Sequence, residues 1–332
     1  MSYYLRASLP RSNRRASATF RMFRHLALTL AVLAPAARAQ DLAGDLTLHR
    51  LLIDGENWQP VAEGIGFADG PCTDADGNFF FSDLRGNAIF KIATDGAKTT
   101  VIEEPASGLK FGSDGRLYAC QGAKKRLVAI DLASKAIDVL AEDVEPNDLA
   151  VTHRGHIYFT QTGKQQVIFV DPKTKEKRVA DTGLAAPNGI TLSPDQGTLA
   201  VSEYRGGSVW TFRIEPDGTL TGRTPYMAMR LPIDSKGEFK FNDAPPFKKE
   251  SGGDGMTSDE TGRYYVATAL GVQVFDPTGR LCGVVPGPPG SAALTSCALA
   301  GPGRAYLYVT ARDKIFRRKV QAVGNVFHLP PK

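Results

Sequence analysis

The sequence predicts an all-β fold, a six-bladed β-propeller with four-stranded antiparallel blades. First, a phrase made of a loop, a short strand, a turn and a second strand occurs six times. Second, the phrases are spaced by 38, 40, 41, 66 and 42 residues, counted from Asp69, Ser107, Asn147, Asn188, Asp254 and Ser296. Third, no long amphipathic helical pattern follows Gln40. A repeat of about forty residues with paired short strands is typical of propeller blades.

The N-terminal segment, residues 1–39, has the composition of a secretory signal peptide. It carries seven arginines and no acidic residue, an apolar run over Leu26–Ala34, and the small-x-small site Ala37-Arg38-Ala39. We therefore predict cleavage near Ala39 and a periplasmic or secreted protein. The apolar run is too short for a membrane-spanning anchor. Loss of seven positive charges from a formal +5 leaves −2, which does not indicate a nucleic-acid partner.

After a lead-in segment, residues 40–57, we assign residues 58–332 to one propeller domain. The sixth repeat is short, because its last clear strand is Lys314–Arg317. Trp58–Val61 reads as an outer strand without a blade of its own. We expect this strand to complete the last blade, since ring closure removes exposed sheet edges.

The step of 66 residues indicates an insertion between the fourth and fifth repeats, at about Thr221–Gly253. Long loops in compact folds are often functional. Because this one ends at Asp254, it could cover a site at the mouth of the channel. A passive surface excursion is the alternative, and the sequence leaves both open.

Four cysteines follow the signal peptide: Cys72, Cys120, Cys282 and Cys297. Exported proteins can retain disulfides, and four cysteines allow three pairings. Cys72 and Cys297 are expected on the inner strands of the first and last repeats, which are neighbours in a closed ring. A disulfide between them and buried thiols remain alternatives.

The residues that begin the inner strands converge at one end of a propeller's channel. In this chain every one of them is polar: Asp69, Ser107, Asn147, Asn188, Asp254 and Ser296. Turn chemistry explains part of the pattern, because Asn-Gly and Asp-Gly pairs tolerate positive φ. Two carboxylates and two amides around one point would form an all-oxygen site, which suits Ca²⁺, Mg²⁺ or Mn²⁺ and allows Zn²⁺.

Competing catalytic sites find little support in the sequence. The chain has no G-x-S-x-G nucleophile elbow, and its histidines lack the spacing of a metal-binding pair. The sequence therefore does not favour a Ser-His-Asp hydrolase.

The phrases as a set resemble those of the gluconolactonase and regucalcin (senescence marker protein) family of six-bladed propellers. The resemblance covers about Trp58 to Lys319. Its motifs, in order along the chain, are Phe67–Pro71, Glu145–Leu149, Ala186–Ile190, Gly253–Met256 and Leu307–Ala311.

The resemblance implies one divalent cation at the channel end, with Ca²⁺ favoured, held by Asp69, Asn188 and Asp254. It further implies that Asp254 is the catalytic base and that Asn147 and Glu145 lie at the substrate. Three positions depart from the family pattern, one of them Ser296, which replaces a common Asn. Asp69 stands where the family has Glu, and Glu145 stands where animal members have a sugar-orienting Arg.

These observations predict an exported, metal-dependent hydrolase of lactones, in which the metal polarises the carbonyl and Asp254 activates water. The expected partner is a small lactone or ester, and no sequence feature indicates an oligomeric state. Two alternatives stay open. One is a non-catalytic propeller that binds a ligand or a protein, and the other is an esterase or phosphotriesterase that uses the same metal site.

Overall fold

A computed structural model describes residues 47–233 and 248–331. The predicted signal peptide lies outside these residues. A short helix, α1 (Thr47–Leu51), precedes the first group of strands: β1 (Gln59–Thr73), β2 (Phe79–Asp83), β3 (Ala88–Ile92) and β4 (Lys98–Ile102). No helix in the described ranges has the length and apolar character needed to cross a membrane.

Three further groups repeat the plan, with the innermost strand first and the outermost last. They are β5 (Leu109–Phe111), β6 (Leu117–Gln121), β7 (Arg126–Ile130) and β8 (Ile137–Glu142); β9 (Leu149–Val151), β10 (Ile157–Gln161), β11 (Gln166–Val170) and β12 (Lys177–Thr182); β13 (Pro187–Leu192), β14 (Thr198–Glu203), β15 (Ser208–Ile214) and β16 (Leu220–Ala228).

The last strands are β17 (Met256–Ser258), β18 (Tyr264–Thr268), β19 (Gly271–Phe275), β20 (Leu281–Val285), β21 (Ser296–Ala300) and β22 (Tyr306–Lys319). Short 3₁₀ turns occupy Gly122–Lys124, Thr162–Lys164 and Pro302–Arg304. Every pairing between neighbouring strands is antiparallel.

The prediction of six separate four-stranded blades is wrong. The described strands form five sheets, and counted as hydrogen-bonded sheets the propeller has five blades. Four sheets have four strands each, whereas the fifth has six in the order β21-β22-β1-β2-β3-β4. The cause is the long strand β1, which pairs with β22 through Gln59–Glu63 and with β2 through Ala68–Thr73. The first and last repeats therefore share one sheet.

The same pairing confirms the expectation that an N-terminal strand closes the ring. Gln59 lies opposite Arg317 and Glu63 lies opposite Lys314 in antiparallel register. Because β1 continues without a break into the first repeat, the same strand closes the ring and joins the first and last repeats into one sheet. Sequence periodicity does not reveal it, since the period counts repeats and not the strands that two repeats share.

The region read as an insertion begins later than predicted. Leu220–Ala228 forms β16, the outer strand paired with β15, so this stretch belongs to the sheet. Residues 234–247 lie outside the described residues. After them the chain returns to the inner face, where the Ser251 hydroxyl donates to the backbone oxygens of Glu203 (3.2 Å) and Gly206 (2.8 Å).

The middle strands are buried on both faces, because each sheet packs between two neighbours. All five residues of β6 and all five of β10 are buried. A shared core between these two sheets joins Tyr118 and Leu127 to Phe159 and Ile168. Burial of one such large apolar side chain contributes about 1.5–3 kcal/mol. These continuous apolar strands explain why the repeats are readable in the sequence.

The cysteines lie in the hydrophobic cores between sheets and form no disulfide bonds. Cys72, Cys120 and Cys297 are buried thiols without a disulfide bond, and Cys282 is buried as well. Cys72 packs in one core and Cys297 in another. Burial raises the pKa of Cys72 and of Cys297 to about 12, so both thiols stay protonated and unreactive.

The C-terminal segment, Gly324–His328, crosses the end of the channel at which the inner strands finish. The backbone oxygen of Phe327 accepts from Gln196 Nε2 at 2.9 Å, and Asn325 Nδ2 donates to the oxygen of Asp259 at 2.7 Å. The His328 ring lies 5.6 Å from the Phe111 ring. Beneath this segment a cavity of about 30 Å³ remains, lined by Cys72, Lys110, Phe111, Thr257, Leu299 and His328 among others. The segment thus closes one end of the channel.

Candidate active site

The predicted site residues all lie where inner strands begin, at the end opposite the C-terminal segment. Asp69 belongs to β1 at a break in its register with β2, and Asn188 is the second residue of β13. Asn147 and Asp254 stand two residues before β9 and β17. The structure brings Asp69 close enough to Asp254 for its charge to raise the pKa of Asp254, which the Asn188 side chain lowers.

A chain of hydroxyl groups holds the backbone of these positions across sheet boundaries. A serine or threonine of one sheet donates to the carbonyl oxygen of a site position in the next. The links are Ser82 to Ser107 (3.1 Å), Ser107 to Asn147 (2.5 Å), Thr160 to Asn188 (2.7 Å) and Ser202 to Asp254 (2.9 Å). Within the six-stranded sheet, Thr295 makes the equivalent bond to Ala68 (2.8 Å). Each such bond contributes about 1 kcal/mol and fixes the relative height of neighbouring inner strands.

Each acidic site residue folds back onto the next backbone amide. Gly70 N donates to Asp69 Oδ1 at 2.8 Å, and Gly255 N donates to Asp254 Oδ1 at 3.0 Å. One carboxylate oxygen is therefore held by the backbone in each case. The side chains are only partly buried, so the remaining part faces the channel.

The glycines after the site residues serve close packing more than turn geometry. A Cβ on Gly189 would lie 2.2 Å from the backbone oxygen of Asp254, and one on Gly255 would lie 1.8 Å from Ser296 Oγ. Neither glycine has a positive φ, whereas Gly70 does, at 54°. The turn explanation of the Asn-Gly and Asp-Gly pairs therefore applies to Gly70 alone. At the other two positions the missing side chain lets adjacent sheets approach.

Burial and nearby carboxyl groups raise the pKa of both acidic site residues. Burial raises the pKa of Asp254 well above its usual range, and the charges of Asp69 and Asp148 raise it further. Burial also raises the pKa of Asp69 to about 7, with Asp148 adding to the effect and the Gly70 amide and Lys110 opposing it. Two carboxyl groups that resist ionising together are the arrangement that a bound cation would stabilise.

The sequence reasoning missed Asp148 and Lys110. Asp148 is buried, accepts from Leu149 N at 2.8 Å, and lies 4.0 Å from Lys110 Nζ. Burial raises the pKa of Asp148, and the charge of Lys110 opposes the rise. A usable signal was present, because Lys110 is a cation between two apolar residues of a three-residue inner strand.

The two predicted substrate contacts differ in placement. Asn147 is partly buried beside the carboxyl groups. Its backbone N–H donates a hydrogen bond and its backbone oxygen accepts two, whereas its side-chain amide makes no hydrogen bond to any described residue. Glu145 is exposed, and only its backbone amide is engaged, by Gln161 Oε1 at 2.7 Å. Their roles at a substrate stay predictions, as do those of Asp69, Asn188 and Asp254.

The residues at this end fit a hard divalent cation. Asp69 and Asp254 supply carboxylate oxygens and Asn188 an amide, a donor set that Ca²⁺ or Mg²⁺ prefers. No group of three or more His, Cys, Asp or Glu side chains in the described ranges has the geometry of a complete protein-made site. Three protein side chains would leave coordination positions of such a cation for water or substrate.

Comparison with known proteins adds three results. The family model described as SMP-30/Gluconolactonase/LRE-like region matches residues 67–313. A gluconolactonase of Zymomonas mobilis subsp. mobilis is 24% identical over 302 residues, which cover 80% of this chain and 81% of that protein. Among solved structures, a gluconolactonase from Xanthomonas campestris aligns with a TM-score of 0.67 and 22% identity over 82% of this chain and 92% of its own. A calcium-binding protein, regucalcin, from Agrobacterium tumefaciens aligns with a TM-score of 0.65 and 18% identity over 82% and 96%.

Proposed function

Because the chain belongs to the SMP-30/gluconolactonase/LRE-like family, we propose that it hydrolyses lactones with one divalent cation held by Asp69, Asn188 and Asp254. The lactonase assignment made from the sequence is confirmed at the level of the family and its relatives, which include gluconolactonase and the staphylococcal lactonase drp35. The cation, the roles of the individual residues and export are proposals.

One observation carries the cation proposal. Asp69, in β1, and Asp254, in the loop before β17, lie far apart in sequence, yet the charge of Asp69 raises the pKa of Asp254. Two adjacent buried carboxyl groups destabilise one another when ionised, so their placement here needs a compensating charge. Regucalcin, one of the structural neighbours, is described as calcium-binding, which supports Ca²⁺ as the first cation to test.

When bound, the cation would supply a positive charge that polarises the lactone carbonyl. Asp254 is the base: it takes one proton from the attacking water as the water oxygen bonds to the carbonyl carbon. The ring carbon–oxygen bond then breaks, and the proton passes to the departing alkoxide to leave a hydroxy acid. Asn147, whose amide is unused by the described residues, donates a hydrogen bond to the substrate.

The rest of the chain keeps this chemistry at one end of the channel. The hydroxyl links set the spacing of the three cation-binding positions. The C-terminal segment closes the far end, so substrate and water enter from the side of the carboxyl groups.

The test is proton release from a panel of sugar and aliphatic lactones, measured by pH-stat with chelator-treated protein and with Ca²⁺, Zn²⁺, Mg²⁺ or Mn²⁺ added back. We expect turnover that the chelator abolishes and one of the cations restores. Aryl esters and phosphotriesters belong in the same panel, because the site could act on them too. Absence of lactone turnover under every condition would overturn the proposal.

We also propose that the protein is exported. The support is the sequence of residues 1–39, with its basic start, apolar run and small-x-small cleavage site. N-terminal sequencing of protein recovered from the periplasmic or extracellular fraction is expected to begin at Gln40. Recovery of the uncleaved chain from the cytoplasm alone would contradict this.

A further inference from the structure

Lys110 is a buried cation in the middle of the channel that the mechanism above does not use. It stands on β5 between Leu109 and Phe111, and its side chain is 16% exposed. Its ammonium nitrogen lies 4.0 Å from Asp148 Oδ1, and the Asp148 side chain is 10% exposed. A buried ammonium is costly unless a nearby carboxylate compensates it, so Lys110 and Asp148 depend on each other.

Asp148 is held in place independently of Lys110. Leu149 N donates to its Oδ1 at 2.8 Å, and Ile190 N, from the next sheet, approaches its Oδ2 at 3.4 Å. The carboxylate therefore has a fixed orientation between β9 and β13. Lys110 approaches it from β5, so the pair spans the sheets on either side of Asn147.

The formal charges of the side chains around the proposed cation site can be counted. The charge of Asp148 raises the pKa of both Asp69 and Asp254, the charge of Asp69 raises that of Asp254, and the charge of Lys110 lowers that of Asp69. With a cation bound and all three carboxyl groups ionised, the three carboxylates and one ammonium carry a net charge of −2. That is the charge that a single divalent cation neutralises. Without the ammonium the remainder would be −3, which one such cation cannot balance.

We propose that Lys110 is the fixed internal cation of this site, which pairs with Asp148 and thereby limits the channel to one divalent ion between Asp69, Asn188 and Asp254. The inference rests on the proposed cation site and adds a positioning role for two residues outside it. Lys110 does not touch the substrate. It acts through Asp148, by compensating the negative charge of that carboxylate.

The proposal makes opposite predictions for its two partners. Lys110→Met keeps the length of the side chain and removes its charge, so Ca²⁺ should bind about tenfold more tightly or with a second ion per chain. Asp148→Asn keeps the shape and leaves Lys110 uncompensated, so Ca²⁺ should bind about tenfold more weakly. A pair with a merely structural role would weaken Ca²⁺ binding in both variants, because both would loosen the inner strands.

The experiment is calorimetric titration of Ca²⁺ into the chelator-treated full chain at fixed low ionic strength. Lys110→Arg is the matched control and should bind one ion within about threefold of the unmodified affinity, since the charge is retained. The double variant Lys110→Met with Asp148→Asn restores the net −2 and should return to one ion with near-unmodified affinity. Circular dichroism melts accompany each titration, and if Lys110→Met fails to fold, Asp148→Asn and the double variant decide.

Unchanged stoichiometry and an affinity within about twofold in Lys110→Met would overturn the proposal, as would weaker binding in every variant. The proposed function fails separately. Unmodified protein that binds one Ca²⁺ but turns over no lactone would remove the function and leave the role of Lys110 standing. Unmodified protein that binds no divalent cation would overturn both.

Discussion

Ser202 Oγ donates a hydrogen bond of 2.9 Å to the backbone oxygen of Asp254 and thereby links β14 to the residue proposed as base. The same hydroxyl lies 3.3 Å from the oxygens of Gly189 and Gly253. One buried side chain thus fixes the backbone on both sides of the proposed cation. The loop that carries Asp254 owes its position to the neighbouring sheet as well as to its own.

Ser202→Ala should therefore reduce both stability and activity. Loss of the buried donor leaves carbonyl oxygens unsatisfied, at a cost of about 1–3 kcal/mol in the free energy of unfolding. Ser258→Ala is the matched control, because Ser258 is equally buried and donates to the Leu192 oxygen at 2.8 Å, but near the C-terminal segment. Denaturant melts should show a similar loss in both, whereas lactone turnover should fall only in Ser202→Ala. An equal fall in turnover would show that the hydroxyl link has no special relation to the site.

Asp254→Asn removes the proposed base and retains an oxygen that can face a cation. Turnover of the best lactone should fall about a hundredfold or more, as expected for loss of general-base catalysis. Ca²⁺ affinity, measured by calorimetry, should fall much less than turnover. Asp313→Asn changes an exposed carboxylate and should leave both quantities unchanged. Full turnover in Asp254→Asn would remove this residue from the mechanism.

Asp69→Glu and Asp69→Ala test the residue that departs from the family pattern. Glu is one methylene longer, and Ca²⁺ requires its oxygen ligands at about 2.3–2.6 Å. If Asp69 is a ligand, the Glu variant should bind Ca²⁺ as tightly as the unmodified protein or more tightly, and the Ala variant should lose most of its affinity. Identical titrations of all three proteins would assign Asp69 no part in cation binding and would favour a non-catalytic propeller.

Gly189→Ala tests the close approach of two sheets behind the site. The added Cβ would lie 2.2 Å from the Asp254 oxygen, so the sheets must separate. Overpacking of this kind costs about 1–3 kcal/mol in the free energy of unfolding and should displace Asp254 enough to lower turnover. Gly163→Ala is the control, because no atom lies within 4 Å of its added Cβ and its φ is not positive. Equal melting temperatures for the two variants would contradict the packing explanation.

The cation-free protein should lose stability as the pH rises from about 4 to about 7. Burial raises the pKa of Asp69 to about 7 in the folded chain from an ordinary value of 3.8. Between these values the unfolded chain releases the proton and the folded chain keeps it, so the free energy of unfolding decreases with pH and levels off above the folded pKa. Ca²⁺ at pH 7 should raise the melting temperature, since it stabilises the ionised carboxylates.

The measurement compares chelator-treated protein with its Asp69→Asn variant by denaturant melts at several pH values. Subtraction of the two curves removes the contribution of all other carboxyl groups. We expect the difference to be constant below about pH 4, to change between about pH 4 and pH 7, and to be constant again above pH 8. A difference that does not vary with pH would show that Asp69 ionises in the folded chain as it does in the unfolded one.

The sequence by itself determined the all-β class, the repeats and most of the strands that build them. The strand predicted at Lys314–Arg317 lies within β22 (Tyr306–Lys319), and most of the one predicted at Trp58–Val61 begins β1 (Gln59–Thr73). These features can be predicted from the sequence because strands buried on both faces need continuous apolar residues, and turns need Gly, Asp and Pro. The polar residue at the start of each inner strand can also be recognised in the sequence, because it interrupts an apolar pattern.

Only the tertiary structure decided how the repeats join and which groups act on one another. The fusion of the first and last repeats depends on β1 pairing along both of its edges, and such pairing leaves no local signature. The packing role of Gly189 and the ion pair of Lys110 with Asp148 depend on distances between sheets. Contacts between residues forty or more positions apart arise from the closure of the ring. The energies of these contacts therefore depend on distances between different sheets, which the sequence of a single repeat does not specify.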